Sequence, residues 1–310
     1  MHLSVIIPAY NASKSIRRCV ESIDSRQNTD YEIIIVENGS TDDTLAICED
    51  IKRTNSRVRV LHTEMAGVSH ARNIGIDNAQ GNYIAFVDAD DMASCGAIDN
   101  YMQVSPADLT IFNYSVVEDD AVRKKGDINQ EFTCNNIEAL NFFFYSTYGF
   151  QGYVWNKLFK ANIIRQYNIR FNEQFKYGED QIFVVDYLLN CRNILFSTKE
   201  VYLYSLSTSS VTGEKIKNKV YAPEKMTAYA IMIDHILAKN SDAIYACYYG
   251  ALIKSIECFN EEITVKGKKY YRKKGLSYLS KILSTPQISI KRKCIGIIKF
   301  MLKKDYFGGR

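Results

Sequence analysis

Three carboxylates, Asp88, Asp90 and Asp91, are packed into four residues at the end of the run YIAFVDADDM (83–92). Like charges this close repel unless a cation neutralises them, so the spacing points to a divalent metal more than to the turn that a single strand-end Asp would explain. An EF-hand loop is excluded: Met92 stands at its fifth position, Ala93 replaces the sixth-position glycine, and Asp99 stands where a bidentate Glu belongs. Mg²⁺ or Mn²⁺ held by one or two carboxylates takes its other ligands from water and substrate phosphates. That predicts a phosphorylated substrate. Neither GxxxxGK[ST] nor GxGxxG occurs in the chain, so the phosphates must be held mainly through the metal.

The elements that must position this cluster alternate between strand and helix. LSVII (3–7), EIIIV (32–36), VRVLH (58–62) and YIAFV (83–87) are short β-rich runs. Ile16, Cys19, Val20 and Ile23 mark one helical face between them, Leu45, Cys48 and Ile51 a second, and Val68, Ala71 and Gly75 a third. Ser40 and Asp43 have the spacing of a capping box. Such βαβ units predict a parallel sheet, and ligands of open parallel sheets bind beyond the carboxyl ends of the strands. PAYN, ENGSTDD and DADD should therefore converge on one rim. Farther on, 108–117 reads as a strand, 137–145 and 180–191 as helices, and the chain from about Val220 as mainly helical, with breaks at Gly267 and Pro286. A soft boundary falls near residue 215, separating 1–215 (halves 1–106 and 107–215) from a helical region at 216–310.

Five segments, SVIIPAYNA (4–12), EIIIVENGSTDDT (32–44), GVSHARNIGIDNAQGNYIAFVDADD (67–91), WNKLFK (155–160) and YGEDQIF (177–183), resemble in order and spacing the motifs of glycosyltransferase family 2. The resemblance covers roughly residues 3–215. It implies a GT-A fold (α/β, Rossmann-like, with a mostly parallel central sheet), a nucleotide-sugar donor and inverting transfer. Position by position, Pro8, Ala9, Tyr10 and Asn11 correspond to the loop that cups nucleobase and ribose, and Glu37, Asn38 and Asp42 to the second base-binding loop. The family has two adjacent acids where this chain has Glu37 and Asn38; an Asn carbonyl still accepts a base N–H, and uridine is the expected base. Arg72 and Asn73 match residues flanking the nucleotide. Asp88 and Asp90, with Ala89 between them, form the DxD that touches ribose and metal, and Asp91 is a helper. Asp180 matches the general base and Glu179 its neighbour, which orients it or binds acceptor. Trp155 and Lys157 are expected to line the acceptor and donor pockets. The implied reaction moves a hexose from a UDP-sugar to a saccharide, carried on a polyprenyl diphosphate, in capsule or other surface-glycan synthesis. A nucleotide-sugar hydrolase or pyrophosphorylase would share metal and nucleotide without an acceptor, and an inactive sugar-nucleotide-binding scaffold would lack a working base.

Composition fits an ordinary soluble globular protein, with 46% hydrophobic and 24% charged residues. Eight cysteines without a C-x-x-C pair signal neither a zinc ribbon nor a redox motif, and read as free thiols of a reducing compartment. The first ten residues lack the basic start of a secretory signal, and no apolar stretch is long enough to span a membrane. Charge is uneven: residues 264–310 carry 14 Lys or Arg against one acid, net +13, which leaves −9 for residues 1–263 of the overall +4. In 289–304, Ile290, Cys294, Ile297 and Met301 share one helical face while the basic residues fall largely elsewhere. A basic amphipathic tail of this kind suits an anionic membrane surface. The acidic body and the lack of a nucleic-acid-binding motif argue against nucleic acid. The expected location is cytoplasmic, peripheral at the inner face of the plasma membrane.

Overall fold

A computed structural model describes residues 2–23, 30–104, 106–118, 121–146, 150–175, 177–206, 224–239, 241–262, 265–286, 289–290 and 293. The predicted boundary near 215 and most of the predicted helix at 289–304 lie outside these. The first half is the expected alternation: β1 (Leu3–Ala9), α1 (Ile16–Ser22), β2 (Tyr31–Asn38), α2 (Thr44–Thr54), β3 (Val58–Thr63), α3 (Val68–Asn78) and β4 (Tyr83–Phe86). There follow β5 (Met92–Ala93), α4 (Ala97–Met102), β6 (Leu109–Glu118), β7 (Ala121–Lys125), β8 (Phe132–Cys134), α5 (Asn136–Tyr145), β9 (Lys157–Lys160), α6 (Ala161–Gln166), α7 (Glu179–Leu188) and β10 (Ile194–Ser205). Three helices complete the described chain: α8 (Glu224–Ala238), α9 (Ile244–Glu261) and α10 (Val265–Ser284).

One sheet runs in the order β3-β2-β1-β4-β9-β6-β10-β5. The pairs β1/β2, β1/β4, β2/β3 and β6/β10 are parallel, whereas β9 is antiparallel to both neighbours and β5 is antiparallel to β10. Strand order reverses between β1 and β4, the switch point at which open sheets bind ligands. The residues of β1 explain the crevice there. Ile6 turns its carbonyl to the β4 side and accepts from the Val87 N–H at 3.0 Å. Pro8, of the same parity, has no N–H to continue that ladder, and the two strands part.

Both faces of the sheet are covered, as uniformly apolar strands require. Leu3, Val5, Ile7, Ile33 and Ile35 share one core with Ile16, Cys19, Val20 and Cys48 of α1 and α2. Ile6, Ile34, Phe86 and Phe159 share the other with α3, α5, α7 and the three C-terminal helices. Gly75 allows α3 to sit on β1, since a Cβ there would lie 2.3 Å from Cγ2 of Ile6. The break expected at Gly267 is not made. α10 runs through it, and the missing side chain leaves room for Glu262, whose Cδ would lie 2.4 Å from an added Cβ. The helix ends at Ser284, two residues before Pro286. Among the described residues, no helix is long and apolar enough to cross a membrane.

Candidate active site

The three polar loops meet at the carboxyl ends of β1, β2 and β4, and hydrogen bonds join the first two. The Asn11 N–H donates to the Ser40 hydroxyl at 3.0 Å, and the Thr41 N–H donates back to Oδ1 of Asn11 at 2.9 Å. Asn11 is held in the left-handed region, φ 48°, which Asn tolerates better than most residues. Asp42 accepts from the N–H groups of Ser13 at 3.2 Å and Thr44 at 3.1 Å. Burial would raise its carboxyl, but these donors and the Thr44 hydroxyl lower it to about 2. The capping box expected of Ser40 and Asp43 is not formed: Asp43 makes no side-chain cap bond. Tyr10 presents its ring at this rim, 50% exposed.

Two expected base contacts turn inward. Glu37 is buried and accepts from the Ser40 N–H at 2.6 Å, with His62 Nδ1 also at 2.6 Å. Burial acts to raise its carboxyl, and these partners bring it below the usual range. Asn38 is buried as well. In the amide orientation that satisfies both ends, it donates to the Ala9 carbonyl at 2.5 Å and accepts from the Gly67 N–H at 3.0 Å. Both side chains therefore shape the rim from beneath. Ala9 and Ala89 are buried too, which leaves their backbone as the part near the crevice.

The acidic cluster divides its labour. Asp91 is buried, accepting from the Tyr202 hydroxyl at 2.7 Å and the Ser205 N–H at 2.7 Å. Burial, then Asp88 and Asp90, push its carboxyl up to about 8. With an oxygen spent on each bond it ties β10 to the loop, which corrects the expectation of a metal helper. The Tyr202 hydroxyl also accepts from the Asp88 N–H at 3.1 Å. Asp90 points outward at the rim, while the Arg18 guanidinium donates to its carbonyl at 3.3 Å.

Arg72 joins the cluster to the second motif. Its guanidinium is buried in α3, donating through Nη2 to Oδ1 of Asp88 at 2.9 Å and through Nη1 to Oδ1 of Asp180 at 2.6 Å. Oε1 of Glu179 lies 3.8 Å from the same Nη1. Burial would lower the basicity of this guanidinium, but Asp180, Asp88 and Glu179 more than reverse it. Glu179 and Asp180 open α7 behind Gly178, whose φ of 86° suits glycine and whose added Cβ would lie 2.8 Å from that of Ala228. Burial drives the Asp180 carboxyl up to about 7 against the pull of Arg72. A carboxylate with such a pKa is matched to proton transfer near neutrality.

Three further expected contacts are structural. Asn73 is buried and closes a two-way bond with the Phe171 backbone, both distances 2.9 Å, and also donates to Glu173. Both of its amide N–H groups are thereby spent within the protein. Lys157 is fully buried, its ammonium donating to the carbonyls of Gln151 at 3.0 Å and Tyr153 and to Oδ1 of Asn156 at 2.8 Å. Those acceptors use all three N–H donors, and burial pushes the group down to about 7. Trp155 is 3% exposed and lies nearly parallel to Tyr202, ring centroids 4.4 Å apart. Lys157 and Trp155 are both buried and hold the loop that precedes β9.

Among the described residues, no group of three His, Cys, Asp or Glu side chains forms a closed metal site. The residues do fit an open one. Asp90 is exposed at the rim with Asp88 beside it, so a cation there would relieve the repulsion between the two carboxylates. One outward carboxylate next to another, at the mouth of a crevice, is the donor set of an ion that takes its remaining ligands from phosphate and water.

Comparison with known proteins agrees with this geometry. Residues 4–155 match the model of Glycosyl transferase family 2. Glycosyltransferase GlyA of Streptococcus pneumoniae is 30% identical over 221 residues, 68% of this chain and 31% of GlyA. Glycosyltransferase YibD of Escherichia coli is 30% identical over 219 residues, 68% of this chain and 63% of YibD. The chain thus spans 31% of the length of GlyA and 63% of that of YibD. The crystal structure of residues 1–349 of Staphylococcus aureus TarS superposes with a TM-score of 0.73 at 17% identity, over 99% of this chain and 89% of that one. This likeness establishes the GT-A fold with its helical C-terminal region. With the family's model matched across the crevice-forming half, and its DxD and GED segments brought face to face by Arg72, the chain belongs to glycosyltransferase family 2.

Proposed function

We propose that the chain is an inverting hexosyltransferase that moves a sugar from a UDP-sugar to a saccharide acceptor, lipid-linked, in surface-polysaccharide or glycoconjugate synthesis. The observation that carries this reading is the buried Arg72, which sets the donor-side Asp88 and the base Asp180 on adjacent nitrogens of one guanidinium. In this reading the anomeric carbon lies between them, with the nucleotide entering at the rim and the acceptor arriving beside α7. Two solved relatives support the donor and metal: the TarS fragment with UDP-GlcNAc, and a Pyrobaculum calidifontis mannosyltransferase with GDP-Man and Mn²⁺, TM-score 0.54.

In this reading Tyr10 and Asn11 hold the nucleoside at the rim, and Asp88 takes the ribose. Asp90, with Asp88 beside it, would hold a divalent cation, Mn²⁺ or Mg²⁺, which supplies positive charge to the departing diphosphate. Asp180 accepts the proton of the acceptor hydroxyl as that oxygen bonds to the anomeric carbon. The bond from that carbon to the phosphate oxygen breaks, its electron pair leaving with the nucleoside diphosphate. Arg72 keeps Oδ1 of Asp180 occupied and directed. Glu179 adds negative charge near the guanidinium and borders the acceptor side. α10, with Lys266, Lys268, Lys269, Arg272, Lys273, Lys274 and Lys281 and the exposed Leu276 and Leu283, would rest on an anionic membrane at the cytoplasmic face. Co-sedimentation with phosphatidylglycerol vesicles but not with phosphatidylcholine vesicles is the expected result; equal recovery with both would remove the membrane from the reading.

Calorimetric titration with UDP, GDP and CDP, each with Mn²⁺ and then with EDTA, tests the donor site. Metal-dependent binding of UDP alone, lost in Asp90→Ala, is expected. Binding that ignores both the metal and Asp90 would mean that the carboxylates are structural.

A further inference from the structure

A cavity of about 350 Å³ lies at the end of α7 opposite Asp180, and the steps above make no use of it. Three segments wall it: the chain leaving α6 contributes Tyr167 and Arg170, the end of α7 Asp186 and Asn190, and the end of α8 His235 and Lys239. Asn168 makes the first of these possible. It sits in the left-handed region, φ 48°, and the Ile169 N–H reaches back to the Ile164 carbonyl at 3.0 Å, the bond that closes a helix followed by a left-handed residue. The turn leaves the Tyr167 ring 46% exposed beside the ends of α7 and α8.

The cations of this wall are not placed as helix caps. A basic residue at a helix C-terminus ordinarily bonds the last carbonyls. Lys239 instead donates to Oδ1 of Asn190 at 3.0 Å, its ammonium 5.6 Å from the centroid of the Tyr167 ring, and two of its three N–H donors are left. His235 meets Oδ1 of Asp186 through Nδ1 at 2.6 Å, and among the described residues its Nε2 has no partner. That bond raises the imidazole above its ordinary value, against the smaller opposing effect of burial. It also occupies Asp186, the one acid among the described residues of the wall. Arg170 spends Nη1 on the Ile169 carbonyl and Nη2 on Asp77, which leaves three of its five donors. Much of the remaining wall is apolar: Ile169, Leu189, Ala238 and the face of Tyr167.

We propose that this cavity is a binding site for a phosphate monoester, with Lys239, Arg170 and Nε2 of His235 on the phosphate oxygens and the organic part against Tyr167 and Leu189. Donors that arrive from separate segments suit a tetrahedral anion, and charged donors make the stronger hydrogen bonds. The volume, about 350 Å³, falls at the small end of the roughly 300–1,000 Å³ of ligand cavities, which leaves room for a small organic body beside the phosphate. The site is separate from the crevice, since none of Asp88, Asp90 and Asp180 borders it. It is joined to the base all the same. α8 touches both ends of α7, Ala228 lying where a Cβ on Gly178 would reach and His235 holding Asp186, so the ligand rests against the helix that carries Asp180. This inference goes beyond the transferase reading and does not depend on the donor assigned there.

The test is calorimetric titration of the full chain in metal-free buffer, at an ionic strength fixed with chloride so that screening does not change along the titration. The probes are glucose 1-phosphate, glycerol 3-phosphate and glucose. Both phosphates should bind and glucose should not. Lys239→Gln and Arg170→Gln should each weaken the phosphates about tenfold or more, the loss of one charge-assisted hydrogen bond, while Asp90→Ala should leave them within about twofold. Co-sedimentation with phosphatidic acid vesicles separates the two sources of such a group: recovery that Lys239→Gln removes marks a lipid headgroup, and recovery indifferent to Lys239 marks a soluble ligand. The proposal is overturned if neither phosphate binds, if glucose binds as well as they do, if either Gln variant binds as the unsubstituted chain does, or if Asp90→Ala abolishes binding, which would move the ligand to the crevice.

Discussion

Replacing Arg72 by Met removes a cation that Asp88, Glu179 and Asp180 share. Breaking a buried ion pair by deleting one partner costs about 3–5 kcal/mol. Asp88 and Asp180 keep 27% and 21% of their side-chain surface, so water recovers part of this and the lower limit, about 3 kcal/mol, applies. At roughly 2 °C per kcal/mol for a chain of this size, the melting midpoint should fall by about 6 °C. The effect must depend on pH, with a sign fixed by the carboxyl. A folded-state pKa raised above the unfolded value means stability that is complete below the unfolded value and lost as pH climbs through the folded one. In the unsubstituted chain that loss ends near pH 7, where Asp180 titrates. Without Arg72 the Asp180 pKa rises further, so the variant goes on losing stability above pH 7. Thermal denaturation from pH 6 to pH 9 should show the gap widening with pH. Arg72→Lys keeps the charge but not the fork, and should recover part of the stability and little of the activity. A gap below about 1 kcal/mol, or one independent of pH, would show that Arg72 is not what holds the two motifs together.

Gly178→Ala adds left-handed strain and a Cβ 2.8 Å from Ala228 at the residue that launches the base. A destabilisation of about 1–3 kcal/mol is expected, with a fall in kcat greater than the change in KM for donor; unaltered steady-state kinetics would refute the role assigned to this turn. Tyr202→Phe leaves Oδ2 of Asp91 and the Asp88 N–H without their shared hydroxyl. A loss of about 1–3 kcal/mol should appear in urea denaturation, together with weaker UDP binding, because the DxD turn loses a support; unchanged UDP affinity would separate the clamp from the donor site.

Much of the fold was legible because its signals are local. The first four strands are short β-branched runs with polar loops at their ends, and Pro8 closes the first where the crevice begins. Asp88, Asp90 and Asp180 stand out in the sequence because three carboxylates on a strand end, and an acid opening a helix, have few structural reasons to coincide in register with the family's motifs. What escaped was set by distant partners. Asn38 and Asn73 look like ligand contacts in the sequence, but each is spent on backbone groups, Asn73 on a segment 98 residues away. Lys157 reads as a pocket cation until three acceptors of its own loop surround it. Trp155, the only tryptophan of the sequence, reads as a pocket residue until Tyr153, Tyr202 and Tyr204 stack around it. The alternation VYLYS in β10, which places Tyr202 and Tyr204 on one face, was the available signal for that stack. The long α10 shows the reverse case, a glycine that reads as a break yet lies inside the helix to admit Glu262.

The most direct measurement is Asp180→Asn, assayed for sugar transfer to acceptor and for UDP binding on the same preparation. The amide keeps the shape and a carbonyl for Arg72 but cannot take a proton near neutral pH. Transfer reduced by roughly 10²–10⁴-fold, the range general-base catalysis supplies, with UDP affinity within about twofold, is the predicted result. Transfer retained at the rate of the unsubstituted chain would contradict the base assignment.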